Sequence, residues 1–144
     1  MSETFIKEFF FSDDDMSICD GLIEYHSNNM EYKYAGNTQG GKALKRSTDV
    51  TIYPASQNPF VQMYRKLLFD YVREYLASYD NPLGQLTIAE GFNIQHYKPS
   101  EGFLSWHSER SLHQTHQRAL VFMTYLNDVQ DGGGTDFKYQ GKRH

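Results

Sequence analysis

The apolar positions follow helical spacing through the first half of the chain and strand-like alternation through the second. Residues 4–11 are apolar-rich and read as a strand. Ser12 to Asp15 then offer cap side chains and negative charge for a first helical turn. Ile18, Leu22, Ile23, Tyr25 and His26 follow one helical face, which Asn28 and Asn29 end. Gly36 to Gly41 reads as a flexible connection, and Lys42 to Tyr53 as loop or edge structure. The clearest helix follows. Asn58 can cap it and Pro59 suits its first position. Phe60, Met63, Tyr64, Leu67, Leu68, Tyr71, Val72, Tyr75 and Leu76 recur at spacings of three and four, as a packing face does. Asn81-Pro82-Leu83-Gly84 carries turn chemistry.

Beyond this turn the period changes. Leu86, Ile88, Phe92, Ile94, His96 and Tyr97 belong to strand-like segments interrupted near Gly91. Pro99 to Gly102 predicts a turn, and Phe103 to Glu109 a short strand. Ala119 to Leu126 is the strongest strand candidate. Leu120, Phe122, Thr124 and Leu126 oppose Ala119, Val121, Met123 and Tyr125, so the segment predicts a strand covered on both faces. Asn127 to Gly134 is a loop in which Gly132, Gly133 or Gly134 can take backbone angles barred to larger residues. Phe137 to Tyr139 starts a further strand. Helices followed by antiparallel strands predict an α+β arrangement or a helix-supported sandwich. There is no phosphate loop, dinucleotide fingerprint, nucleophile elbow or internal repeat.

With 144 residues the chain predicts one domain, residues 1–144. Its charged fraction of 22% and its abundant aromatics, 11 Tyr and 10 Phe, argue against global disorder. A formal net charge of -4 carries no nucleic-acid footprint. Lys42, Lys45 and Arg46 make only a small basic cluster, read as a solvated face or loop. Cys19 is the single cysteine, so no internal disulfide forms; it reads as a small buried hydrophobe. No apolar run approaches membrane-spanning length, and the N-terminus lacks a secretory pattern. The expectation is a cytoplasmic protein, with no nucleic-acid or membrane partner indicated.

The candidate chemistry lies in Trp106-His107-Ser108-Glu109-Arg110. Side chains two apart share a face of a strand, so His107 and Glu109 can approach one ion. By itself a His-x-Glu pair also suits ordinary surface or packing roles. His96, His113 and His116 are nearby in sequence. His113 and His116, three apart, suit a loop, a separate zinc or nickel site, or a third ligand to His107 and Glu109. His144 is a further imidazole at the end of the chain. The acids Asp13 to Asp15 read as capping, and Asp128, Asp131 and Asp136 as turn formation.

Four segments together resemble the 2-oxoglutarate- and Fe(II)-dependent oxygenase superfamily, in its prolyl-4-hydroxylase-like branch with phage and marine microbial members. They are Gln95-His96-Tyr97-Lys98-Pro99, then Trp106 to Arg110, then Arg118 to Val129 with its Tyr125-Leu126-Asn127-Asp128, and then Gly132-Gly133-Gly134-Thr135-Asp136-Phe137. The resemblance covers about residues 86–139. It implies a partial double-stranded β-helix (jelly roll) over residues 86–144, with helical support mainly over 13–80. It implies Fe(II) and 2-oxoglutarate as cofactors, with ascorbate as a compatible reductant. His107 matches an iron-binding histidine, and Glu109 the carboxylate ligand, where Asp is commoner. These two are the implied metal and catalytic residues. Tyr97 matches a cofactor-binding position facing the 2-oxoglutarate pocket. Thr135 and Phe137 match framework positions, while Thr124 or Tyr125 lines the pocket.

The implied reaction is hydroxylation of a peptidyl prolyl or another organic substrate, coupled to oxidative decarboxylation of 2-oxoglutarate. The family's second iron-binding histidine, its basic cosubstrate anchor and its last core strands normally follow the glycine-turn strand. His144, Arg143 and Lys142 are poor matches for the missing ligand and anchor. The expectations are therefore a truncated oxygenase, a form completed by a homo-oligomer or another chain, or a catalytically incomplete protein-binding module.

Overall fold

A computed structural model describes residues 4–36, 44–79, 86–110 and 112–144. Most of the Gly36–Gly41 connection, the Asn81–Gly84 turn and Lys42 lie outside the described residues.

Two helices pack on one face of a three-stranded antiparallel sheet. Helix α1 (Met16–Asn28) follows a short acidic turn in which Ser12 Oγ donates to Asp15 Oδ2 at 2.6 Å. It buries Ile18, Cys19 and Leu22. Helix α2 (Pro59–Ala77) starts where the cap chemistry predicts: Asn58 Oδ1 accepts from the backbone N–H groups of Phe60 and Val61 at 3.0 and 3.2 Å. Val61, Tyr64 and Leu68 carry its buried stripe. The helices meet at Gly21, where a Cβ would lie 2.1 Å from Phe60 Cγ. That approach leaves no room for a side chain.

The sheet contains β1 (Tyr34–Ala35), β2 (Thr48–Ile52) and β3 (Phe92–His96), with β2 in the centre. The β2–β3 ladder runs from Thr48 opposite His96 to Ile52 opposite Phe92. Segment 42–53, read as loop or edge, thus contains the central strand. Val50 and Ile52 are almost fully buried, and Ile52 joins Ile18, Leu22, Val61, Tyr64, Leu68 and Ile94 in the core. Five residues with polar alternates give a weak local signal, and the burial comes from partners distant in sequence. Residues 4–11 form no strand.

The opposite face of β2 is polar. Asp49 Oδ2 accepts from Lys45 Nζ at 2.8 Å, and Asp49 Oδ1 from Ser47 Oγ at 2.6 Å. Lys45 and Asp49 are 6% and 1% exposed, so the cluster read as solvated contains a buried ion pair. A Cβ at Gly36 would lie 2.0 Å from Ser47 Oγ, and glycine there lets the chain close over the cluster.

The later half departs from the jelly-roll expectation. Strands β4 (Asp136–Phe137) and β5 (Lys142–Arg143) form a separate two-stranded sheet. Neither sheet closes into a barrel, so the described residues make an open α+β arrangement and not a double-stranded β-helix. Barrel closure requires ladder partners on both sides of each strand. Residues 119–126 join no ladder, and β1, β4 and β5 have two residues each. Phe103–Glu109 contributes only one bridge, between Phe103 and Lys45. The glycine turn behaves as composition predicts, with Gly132 and Gly133 at φ of 83° and 71°.

Candidate functional site

The bridge to Lys45 places the first part of the site. Arg46 N–H donates to Gly102 O at 2.9 Å and Leu104 N–H to Leu44 O at 2.7 Å, which holds Phe103 against the polar edge of the sheet. The Phe103 ring stacks on His107, with centroids 4.0 Å apart and planes inclined by 10°. Lys45 Nζ also lies over the Phe103 ring, 5.9 Å from its centroid.

His107 and Glu109 lie side by side in a loop, and not on one face of the short strand expected for Phe103 to Glu109. His107 Nε2 is 3.3 Å from Glu109 Oε1. His107 Nδ1 is 2.9 Å from Ser105 O. A carbonyl only accepts, so that contact assigns the hydrogen of the neutral ring to Nδ1. Nε2 is then a lone-pair donor facing a carboxylate oxygen. Two such atoms converge favourably only around a proton or a cation. Donors bound to one ion at about 2.1 Å and at right angles would be about 3 Å apart. The observed 3.3 Å is a little wider than that spacing and is also the distance of an ordinary histidine–carboxylate ion pair; nitrogen with carboxylate oxygen is a donor set that divalent transition metals accept.

Glu109 is also held from outside. Arg118 Nη1 donates to Glu109 Oε2 at 3.0 Å. The same guanidinium grips Glu90: Nε donates to Oε1 at 3.0 Å and Nη2 to Oε2 at 2.6 Å. These hydrogen bonds hold the Glu90 carboxyl below the usual carboxylate range, and the partnership raises Arg118 above its ordinary value. Sequence reasoning did not single out Glu90 and Arg118. They are 28 residues apart, and only tertiary structure joins them.

The expected metal-binding cluster needs correction. Among the described residues, no three His, Cys, Asp or Glu side chains are grouped to hold one ion. The other imidazoles are engaged elsewhere. His96 packs edge-on against His26, and His113 stacks on His116 with centroids 5.1 Å apart. His144 bonds to Glu8 and packs edge-on against Phe137.

Tyr97 lies on the polar side of the sheet, where its hydroxyl donates to Gln95 Oε1 at 2.9 Å. Burial chiefly raises its pKa; Asp49 adds to the rise and a hydrogen bond with Ser47 opposes it. Its environment thus connects with His107 through the Lys45 cluster and Phe103. Thr124 turns inward, its Oγ1 being 2.8 Å from Tyr64 Oη. Tyr125 turns the other way, its hydroxyl 2.8 Å from Thr135 Oγ1. A cavity of about 390 Å³ opens beside β1 and β2, lined by Lys33, Lys45, Arg46 and Ser47 among others; His107 and Glu109 are not in its lining. Among the described residues no helix is long and apolar enough to cross a membrane.

Comparison with family models, curated proteins and solved structures finds no match to this chain.

Proposed function

We propose that His107 and Glu109 are the protein donors of an Fe(II) centre in a 2-oxoglutarate-dependent dioxygenase acting on an organic substrate. One observation carries this reading: the His107 Nε2 lone pair and Glu109 Oε1 converge at 3.3 Å while Ser105 O occupies Nδ1. A hydrogen-bond acceptor on the far ring nitrogen is the usual way to aim an imidazole at a metal. The resemblance supplies the cosubstrate and the reaction class, with Tyr97 on the cosubstrate side. Bound iron would supply the oxidising chemistry that protein side chains lack. Phe103 fixes the plane of the imidazole, Ser105 its tautomer and Arg118 the second carboxylate oxygen. Two protein donors leave most coordination positions to cosubstrate, solvent or a donor from another chain. The buried, free Cys19 is consistent with a reducing, cytoplasmic setting.

The test is succinate formation from 2-oxoglutarate by the purified chain with Fe(II) and ascorbate, paired with Co(II) titration. The expected result is iron-dependent succinate and saturable Co(II) binding, both lost in His107→Ala. Absence of succinate together with Co(II) binding indifferent to His107→Ala would falsify the proposal. Stable self-association without metal, alongside that failure, would favour the protein-binding module.

A further inference from the structure

We propose that Arg118 is a positioning residue for the His107–Glu109 pair, with Glu90 as its anchor; this rests on the metal-site reading above. Arg118 takes hold of Glu109 twice, donating through Nη1 to Oε2 at 3.0 Å and to the backbone carbonyl at 3.4 Å. Engagement of Oε2 leaves Oε1 facing His107 Nε2. The guanidinium is itself fixed because Glu90 occupies its other edge through Nε and Nη2. A planar fork with five donors can engage two carboxylates at once, which a lysine ammonium cannot do in one plane.

Charge explains why the anchor is acidic. Arg118 alone would cancel the negative charge of Glu109 and oppose a cation. With Glu90, two carboxylates and one guanidinium leave one net negative charge beside His107. The group is about half exposed, so water screens its electrostatic part and geometry has greater weight.

Positioning and simple electrostatics predict opposite results for one substitution. Removing the Arg118 charge makes the surroundings more negative, which alone would tighten cation binding. Loss of the grip lets the Glu109 carboxylate rotate away, which weakens it. The experiment is Co(II) titration followed by visible absorption, on the full chain and on Arg118→Ala, Arg118→Lys and Glu90→Gln, with far-UV circular dichroism on each.

The expected result is about tenfold weaker Co(II) binding for Arg118→Ala, at the lower end of what losing a partner that orients a metal ligand costs, with an altered absorption band. Partial recovery is expected in Arg118→Lys and an intermediate loss in Glu90→Gln. Equal or tighter binding by Arg118→Ala with an unchanged band overturns the positioning role and leaves the metal site standing. If Arg118→Ala does not fold, Glu90→Gln decides: unchanged affinity and spectrum overturn the proposal. Wild-type binding indifferent to His107→Ala overturns both readings.

Discussion

The helix-backed sheet and the segment after Arg118 carry comparable apolar patterns and have different fates. In the first, Leu22, Ile52 and Val61 are enclosed by partners from α1, α2 and the sheet. In the second, one set of alternates reaches the same core. Thr124 meets Tyr64 and Leu126 packs against the cluster, while Phe122, still 37% exposed, meets Phe92 edge-on at its margin. The other set faces outward, with Val121, Met123 and Tyr125 exposed at 67%, 54% and 49%. Apolar alternation states what a strand is able to bury. Whether both faces are buried depends on what the rest of the structure brings to them.

The comparison can be broken most sharply at the buried ion pair. Asp49→Ala leaves the Lys45 charge uncompensated, and a loss of about 3–5 kcal/mol is expected. Urea denaturation measures it, and combining Asp49→Leu with Lys45→Met should recover most of the loss. A small effect of Asp49→Ala would show that the polar cluster is hydrated in solution.

Next in size is a matched pair of truncations. Leu22→Ala should cost about 2–5 kcal/mol, as a buried leucine does. Val121→Ala should fall within about 0.5 kcal/mol of wild type. The two urea midpoints give the contrast directly. A Val121→Ala loss as large as that of Leu22→Ala would mean that the outer face is covered in solution.

The smallest expected effect concerns pH and the buried His26. Its Nε2 lies 3.0 Å from Thr48 O, so Nε2–H donates and ties α1 to β2. Burial chiefly lowers its pKa, with Lys33 and His96 adding to the shift; the Thr48 hydrogen bond and Asp49 oppose it. The unfolded chain takes up this proton near the ordinary histidine value of about 6.5. Between the depressed folded pKa and that value, the unfolded state binds more protons, so stability rises with pH. The contribution is complete above about 6.5, declines as pH falls, and levels off below the folded pKa. Urea midpoints at neutral and mildly acidic pH should show this slope, and His26→Gln should flatten it. An identical slope in the variant would assign the pH dependence to other groups.

Much of the helical half was legible because its signals are local. The Asn58 cap, Pro59 and the spacing of Val61, Tyr64 and Leu68 lie within one short stretch. His107 and Glu109 are only two residues apart, but the strand face expected to pair them is a loop, so their 3.3 Å contact depends on the local backbone path. The grip of Arg118 on Glu90 was not legible, because no local pattern marks a contact across 28 residues. Lys45 misled as a surface charge, since its burial depends on Asp49, Ser47 and the close passage of Gly36.

The sequence by itself determined the caps, the helical stripe and the glycine turn. These depend on backbone preferences and spacings of a few residues. Only the tertiary structure decided that 48–52 is a central strand, that the sheets stay open and that Arg118 holds Glu109. Each of those outcomes requires groups far apart in the chain to meet, and the free energy of such meetings lies in their shared burial and hydrogen bonding.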